Sequence, residues 1–158
     1  MLALVSSNLG PEYQRSQKKI LKTLSSVWPD QSIETTEISE PGISEDERAF
    51  KIILDGVHRA YFITAKSQSK FDVFDYMVVF DLEGNIIQPK ILIYREDYGG
   101  EIASKRWLKQ FIGMDKTSNM SLGKEVQNIA GATISCESAS RGFKQAAQSI
   151  DKIISESE

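Results

Sequence analysis

The chain has little of the side-chain chemistry on which hydrolases and metalloenzymes depend: its 158 residues include one histidine and one cysteine. A lone Cys136 excludes an internal disulfide and leaves the compartment open, because exported proteins often lack disulfides. His58 lies beside Asp55-Gly56, where an exposed side chain is expected, and no other ligand-bearing residue stands at metal-binding spacing from it. A Ser-His-Asp set cannot be assembled around it, and no glycine-rich dinucleotide fingerprint is present. An excess of basic charge is also missing. Lys and Arg number 19 against 22 Asp and Glu, for a net charge of -3, which argues against nucleic acid or an anionic membrane surface as the main partner. No apolar run is long enough to span a bilayer. Met1 to Val5 is too short and lacks the charged flank of a signal peptide; it reads equally as the remnant of a removed N-terminal anchor or as a frayed terminus. Internal repeats and low-complexity stretches are absent too.

What remains is an ordinary globular composition, 41% hydrophobic and 26% charged, in a chain long enough to bury a core. Pro11 to Trp28 reads as a helix with Ile20, Leu21, Leu24, Val27 and Trp28 on one face and Lys18, Lys19 and Lys22 on another, ended by Pro29. Ser32 to Ser39 reads as a short edge strand and Glu40-Pro41-Gly42 as loop. Ser44 to Glu47 has capping-box spacing, which predicts a brief helical turn. Phe50 to Leu54 predicts a strand entering a tight Asp55-Gly56 turn, followed by strands over Ala60 to Lys66, Phe71 to Phe80 and Ile86 to Tyr94. Strands joined this closely favour antiparallel pairing. The fold class is α+β: an antiparallel sheet with an N-terminal helix, a short middle helix over Ala103 to Phe111 and a long C-terminal helix. Residues 1–43 are read as a helical extension and residues 44–158 as the main domain.

The most organised stretch is Asn128 to Ser135 and the helix after it. Ala139, Phe143, Ala146, Ala147, Ile150, Ile153 and Ile154 fall on one helical face, with Arg141, Lys144, Asp151 and Lys152 on the other. Ser135 is the expected N-cap, with Glu137 in the first turn. Gly131-Ala132-Thr133 therefore sits at a helix N-terminus, where unpaired N–H groups converge and small side chains admit an anion such as phosphate. Small residues also join loops to helices for packing reasons alone, and on the residues by themselves that plainer reading wins. Met114 to Val126 reads as the loop that leads back to it. Upstream, Arg95 to Glu101 follows a hydrophobic strand, and Gly99-Gly100 permits either a plain acidic surface turn or a close approach of backbone to a flat ligand. Trp107 and Phe111, at i and i+4, form a core pair first and a pocket wall second.

Two blocks in register resemble a known family. Ala130-Gly131-Ala132-Thr133-Ile134-Ser135 is similar to the Ser/Thr-Gly-Ala-Thr-x-Ser signature of FMN-binding domains, as in the C subunit of Na+-translocating NADH:quinone reductase and the G subunit of Rnf complexes. Tyr94 to Ile102 with Trp107 to Gly113 resembles that family's acidic, glycine-rich loop and the aromatic-x-x-Gln-Phe helix after it. The likeness covers about Gly56 to Ile150, and residues 44–158 are read on it as the FMN-binding domain. Two positions depart from the pattern: Gln127 stands where the family has Asp, and Ala130 where it has Ser or Thr.

The resemblance implies FMN as cofactor, with Thr133 at its phosphate, held as a phosphoester added by a flavin transferase or bound reversibly. It implies a cradle of Ala130, Gly131, Ala132, Ile134 and Ser135. The ring would lie beside Arg95, Glu96, Tyr98, Gly99, Gly100 and Trp107, where Glu96 matches the family's acidic residue. No catalytic residue and no metal ligand is expected. The implied role is an electron-transfer flavoprotein rather than a stand-alone enzyme, working with redox partner proteins or a quinone-linked chain on the outer side of the cytoplasmic membrane. A small FMN-dependent reductase and a flavin-free structural subunit are the alternatives.

Overall fold

The computed structural model describes residues 2–3, 10–39 and 42–157. In chain order it holds β1 (Leu2–Ala3), α1 (Gly10–Val27), β2 (Ile33–Ile38), β3 (Arg48–Leu54), β4 (Val57–Gln68), β5 (Val73–Asp81), β6 (Ile86–Ile93), α2 (Lys105–Leu108) and α3 (Thr133–Glu156). The fold is α+β. Strands β2 to β6 form an antiparallel meander in sequence order, and β1 pairs in parallel with Ile33 and Glu34 at its edge. Met1, Leu4, Val5, Glu40 and Pro41, on which sequence expectations fell, lie outside the described residues.

Each face of the sheet is covered by a helix, and the strands therefore carry apolar residues on both sides. On β4, Ala60 and Phe62 point into one core and Tyr61, Ile63 and Ala65 into the other. On β5, Met77 and Val79 share the first with Ile20 and Leu24 of α1, while Phe74, Tyr76, Val78 and Phe80 meet α3 in the second. Two-sided burial of this kind makes the strand sequences read as near-continuous apolar runs. The stretch set apart in the sequence as residues 1–43 contributes both α1 and β2 to this arrangement, and β2 pairs along its whole length with β3.

α3 sits close to the sheet because its inner side is small. Ser138, Ala139, Ser140, Gly142, Ala146, Ala147 and Ser149 are all buried. At Gly142 a Cβ would lie 2.5 Å from the Tyr76 hydroxyl and 3.0 Å from Ser67 Oγ, so the missing side chain makes room for the tyrosine. Phe143 fixes the helix laterally, edge-on to Tyr76 at 5.3 Å and to Phe111 at 4.9 Å between ring centroids.

Several local expectations are corrected. Phe71 does not start a strand: Ser69 to Asp72 is a hairpin loop closed by Ser69 N–H to Asp72 O at 2.8 Å, and β5 begins at Val73. Ser44 to Glu47 is a single hydrogen-bonded turn, Glu47 N–H to Ser44 O at 3.0 Å, with no helix following, since β3 starts at Arg48. His58 is half-buried, with Nε2 3.1 Å from Ala60 O and its ring edge-on to Tyr61. The middle helix is three short pieces, 3₁₀ turns at Gly100–Ala103 and Lys109–Phe111 flanking α2. Among the described residues, no helix is long and apolar enough to cross a membrane.

One buried acid stands out in the second core. Glu47 is 6% exposed; its Oε1 accepts from Ser149 Oγ at 2.6 Å and its Oε2 is buried with no hydrogen-bond partner. Burial pushes this carboxyl above its ordinary value of 4.5, against the smaller opposing effect of the Ser149 bond. The folded chain therefore holds the proton to higher pH than the unfolded chain does. Its contribution is fully present below the unfolded value and is lost as pH rises through the raised folded one. Glu47→Gln should remove that slope, measured as a higher urea midpoint at pH 8 with little change at pH 4.

Candidate functional site

Three segments meet at one end of the sheet: the loop after β6, the β4–β5 hairpin tip and the start of α3. They enclose a cavity of about 760 Å³ lined by Lys70 and Phe71, by Arg95 to Gly99, and by Gly131 to Ser135. That volume falls within the range of roughly 300–1,000 Å³ typical of small-molecule sites.

Tyr94 joins two of these segments. Its hydroxyl donates to Tyr98 O at 2.7 Å and lies 2.8 Å from Ser135 Oγ, so the loop folds back onto the first turn of α3. Gly99 is what permits the approach. Its φ is +86°, and a Cβ there would overlap the Tyr94 hydroxyl and stand 2.9 Å from Ser135 Oγ. Glu96 Oε2 accepts from the N–H groups of both Phe71 and Asp72 at 3.1 Å, which ties the hairpin tip to the same loop. Arg95 is held by Asp75 Oδ1 and Val73 O, both at 2.8 Å, with the pair largely buried. Asp97 and Tyr98 remain exposed at the cavity mouth.

The helix start differs from expectation in a way that matters for charge. α3 begins at Thr133, two residues before Ser135; Ala132 occupies the N-cap position without a side-chain hydrogen bond, and the first turn holds no acidic residue. Ser135 is buried inside that turn and engaged with Tyr94, so it does not cap, and Glu137 lies one residue beyond the first turn. The N–H groups of Thr133, Ile134 and Ser135 have no intrahelical acceptor by helix geometry, and the positive end of a 24-residue helix faces the cavity with no acid in its first turn. Gly131 precedes it at φ +83°, with nothing within 4 Å of where a Cβ would be, so the space over the turn is open. Thr133 is exposed. Its Oγ1 accepts from Asn128 Nδ2 at 2.9 Å, leaving its own proton to donate into the cavity.

A profile of the FMN-binding domain family matches residues 70–148, half of the chain, and takes in all three segments. The chain belongs to the FMN-binding domain family. FMN is accordingly its cofactor. A comparison with curated proteins finds no match.

The local chemistry fits FMN. An uncapped helix N-terminus with an open glycine and a hydroxyl beside it suits a terminal phosphate, and exposed Phe71, Tyr98 and Ile134 suit a flat apolar ring. Of the residues expected from the sequence, Arg95, Glu96, Tyr98, Gly99, Gly131, Ala132, Thr133, Ile134 and Ser135 line the cavity together. Ala130 is exposed beside it, and Gly100 packs under the Tyr94 ring at 3.6 Å from where its Cβ would be. Trp107 is buried and lines a smaller neighbouring cavity with Gln127, Asn128 and Ile129. There its Nε1–H donates to Gln127 O at 2.7 Å, and Gln110 Oε1 accepts from Gln127 N–H at 2.8 Å, so both side chains hold the backbone that leads to the Gly-Ala-Thr turn. Sequence reasoning missed Lys70, Phe71 and Tyr94 as parts of the site. An aromatic beside Ser-x-Ser-Lys between two strands was the available sign that Phe71 belonged to a turn.

The two glycines give a differential test. Gly131→Ala should cost about 1 kcal/mol, for the left-handed backbone alone. Gly99→Ala should cost about 1–3 kcal/mol more, because its Cβ also displaces Tyr94 and Ser135. Denaturant unfolding of both variants checks the order.

Proposed function

We propose that this domain is an electron-transfer module that carries FMN in the cavity between the β6 loop and α3, with the flavin phosphate at Thr133. The observation that carries the reading is the bare N-terminus of α3: no side-chain cap, no first-turn acid, an open glycine and a free hydroxyl proton, all facing one cavity. FMN accepts one or two electrons, so the protein need supply only position and electrostatics. First-turn amides and the Thr133 hydroxyl bind the phosphate, Gly131 and Ala132 keep bulk away from it, and the Tyr94 bridge keeps the two sides of the cavity in register. Exposure at the mouth leaves the ring within reach of a second redox centre. Redox proteins or a quinone-linked chain are the partners that suit such a relay, and an extracytoplasmic setting follows from the resemblance to flavin-carrying subunits.

Attachment at Thr133 is part of the proposal. Its oxygen is exposed, which is what a flavin transferase requires, and the product is a phosphoester of Thr133 equal to chain plus FMN less water. Co-expression with a flavin transferase should raise the intact mass by that amount, and Thr133→Val should abolish the increase, since valine keeps the branched shape without the oxygen. A wild-type chain unmodified under these conditions, while still binding FMN, would leave reversible binding as the mode.

The phosphate cradle is tested separately. The unmodified full chain should bind FMN about tenfold or more tightly than riboflavin in calorimetry, a difference of about 1.4 kcal/mol or more. Equal affinities would remove α3 from the account.

A further inference from the structure

The two most exposed large apolar side chains among the described residues stand on the same cavity: Phe71, 80% exposed, and Tyr98, 85% exposed. Neither belongs to a loose segment. The backbone of Phe71 is held by Glu96 Oε2, which accepts from Phe71 N–H and Asp72 N–H at 3.1 Å. The same tip is closed by Ser69 Oγ to Asp72 O at 2.9 Å, and the Lys70 ammonium lies 5.1 Å from the Phe71 ring centroid, where the cation biases the ring's orientation. The carbonyl of Tyr98 is held by the Tyr94 hydroxyl at 2.7 Å. Pinned backbones that present bare rings to solvent at a cavity mouth are what a stacking platform requires.

We infer that the β4–β5 hairpin tip is a wall of the flavin site, with Phe71 as the platform for a flat heteroaromatic ring and Glu96 as the positioning residue that holds it there. The inference rests on the reading of the cavity as the FMN site. It gives Glu96 a different part from the one expected of an acid beside the ring: one of its oxygens is committed to two backbone amides, so it acts through Phe71. It also divides recognition between two elements, the ring by the hairpin tip and the phosphate by α3.

That division is what the experiment reads. The full chain, prepared without flavin, is titrated calorimetrically with FMN and with riboflavin. Phe71→Ala should weaken both ligands by the same factor, about 3- to 10-fold, because the ring is common to both; Thr133→Val should weaken FMN alone. Glu96→Ala should reproduce the Phe71→Ala loss, and the double variant should bind no more weakly than Phe71→Ala by itself, the non-additivity expected of a residue acting through another. Glu96→Gln, whose amide oxygen still accepts both N–H groups, should retain wild-type affinity. Circular dichroism of each variant shows that the fold is kept. Failure of the wild type to bind FMN would overturn the reading of the cavity itself. Wild-type binding with Phe71→Ala unchanged toward both flavins would overturn the platform alone, and additive losses in the double variant would overturn the part assigned to Glu96.

Discussion

The hydroxyl of Tyr94 is the point on which the site turns. It stands just past the end of β6 and bonds at once to the carbonyl of Tyr98 and to Ser135 in the first turn of α3. Without that bridge the loop after β6 loses its hydrogen bond to the helix, and the cavity between them is held only by packing farther along, where Ile102 is buried against α3. A hydrogen bond of this kind contributes about 1 kcal/mol net, but Ser135 is buried, and leaving its hydroxyl unpaired costs more than making the bond gains. Gly99 is the complement: the bridge can close only where no Cβ intervenes.

The rest of the fold serves to hold α3 at the right height. Small residues along its inner side bring it down onto the sheet, and Phe143, wedged between Tyr76 and Phe111, stops it from sliding. Close packing makes such a position stiff, and stiffness matters because the functional end of the helix lies outside the core. The N-terminus of α3 carries none of the usual compensation. A capping Ser or Thr, or a first-turn acid, would stabilise the helix by about 1 kcal/mol. Leaving both out keeps the amides and the dipole for a ligand, which is the trade expected where stability and function compete for the same groups.

On the proposed reading, three tasks fall to three elements: anion binding to α3, cavity width to the Tyr94 loop, and the apolar wall to the hairpin tip. Each is held by contacts that lie behind it. Trp107 and Gln110 hold the backbone of Gln127, ahead of the Gly-Ala-Thr turn, and Arg95 is anchored to Asp75 and Val73. Charged residues beside the cavity are thus partly structural, and the number of charges near the site overstates the charge free to act on a ligand.

Much of this was legible in the chain before folding. Apolar runs rich in aromatic and β-branched residues marked the strands, three-and-four spacing marked α1 and α3, and the Gly-Ala-Thr motif marked a helix start suited to an anion, because these signals are local and depend only on residue order. The two matched blocks, 94–113 and 130–135, pointed to the FMN family for the same reason. What the tertiary structure decided is what depends on distant pairs. Phe71 reads as the first residue of a strand until Glu96, 25 positions away, is seen to hold it in a turn. Ser135 reads as an N-cap until Tyr94, 41 positions away, is seen to occupy its hydroxyl. Trp107 reads as core first and pocket wall second, and only the fold shows that its N–H is taken by Gln127 O, 20 positions away, beside a smaller neighbouring cavity. Order along the chain sets which elements form and what chemistry they carry; which side chains remain free to meet a ligand is settled only when folding brings their competing partners within hydrogen-bond reach.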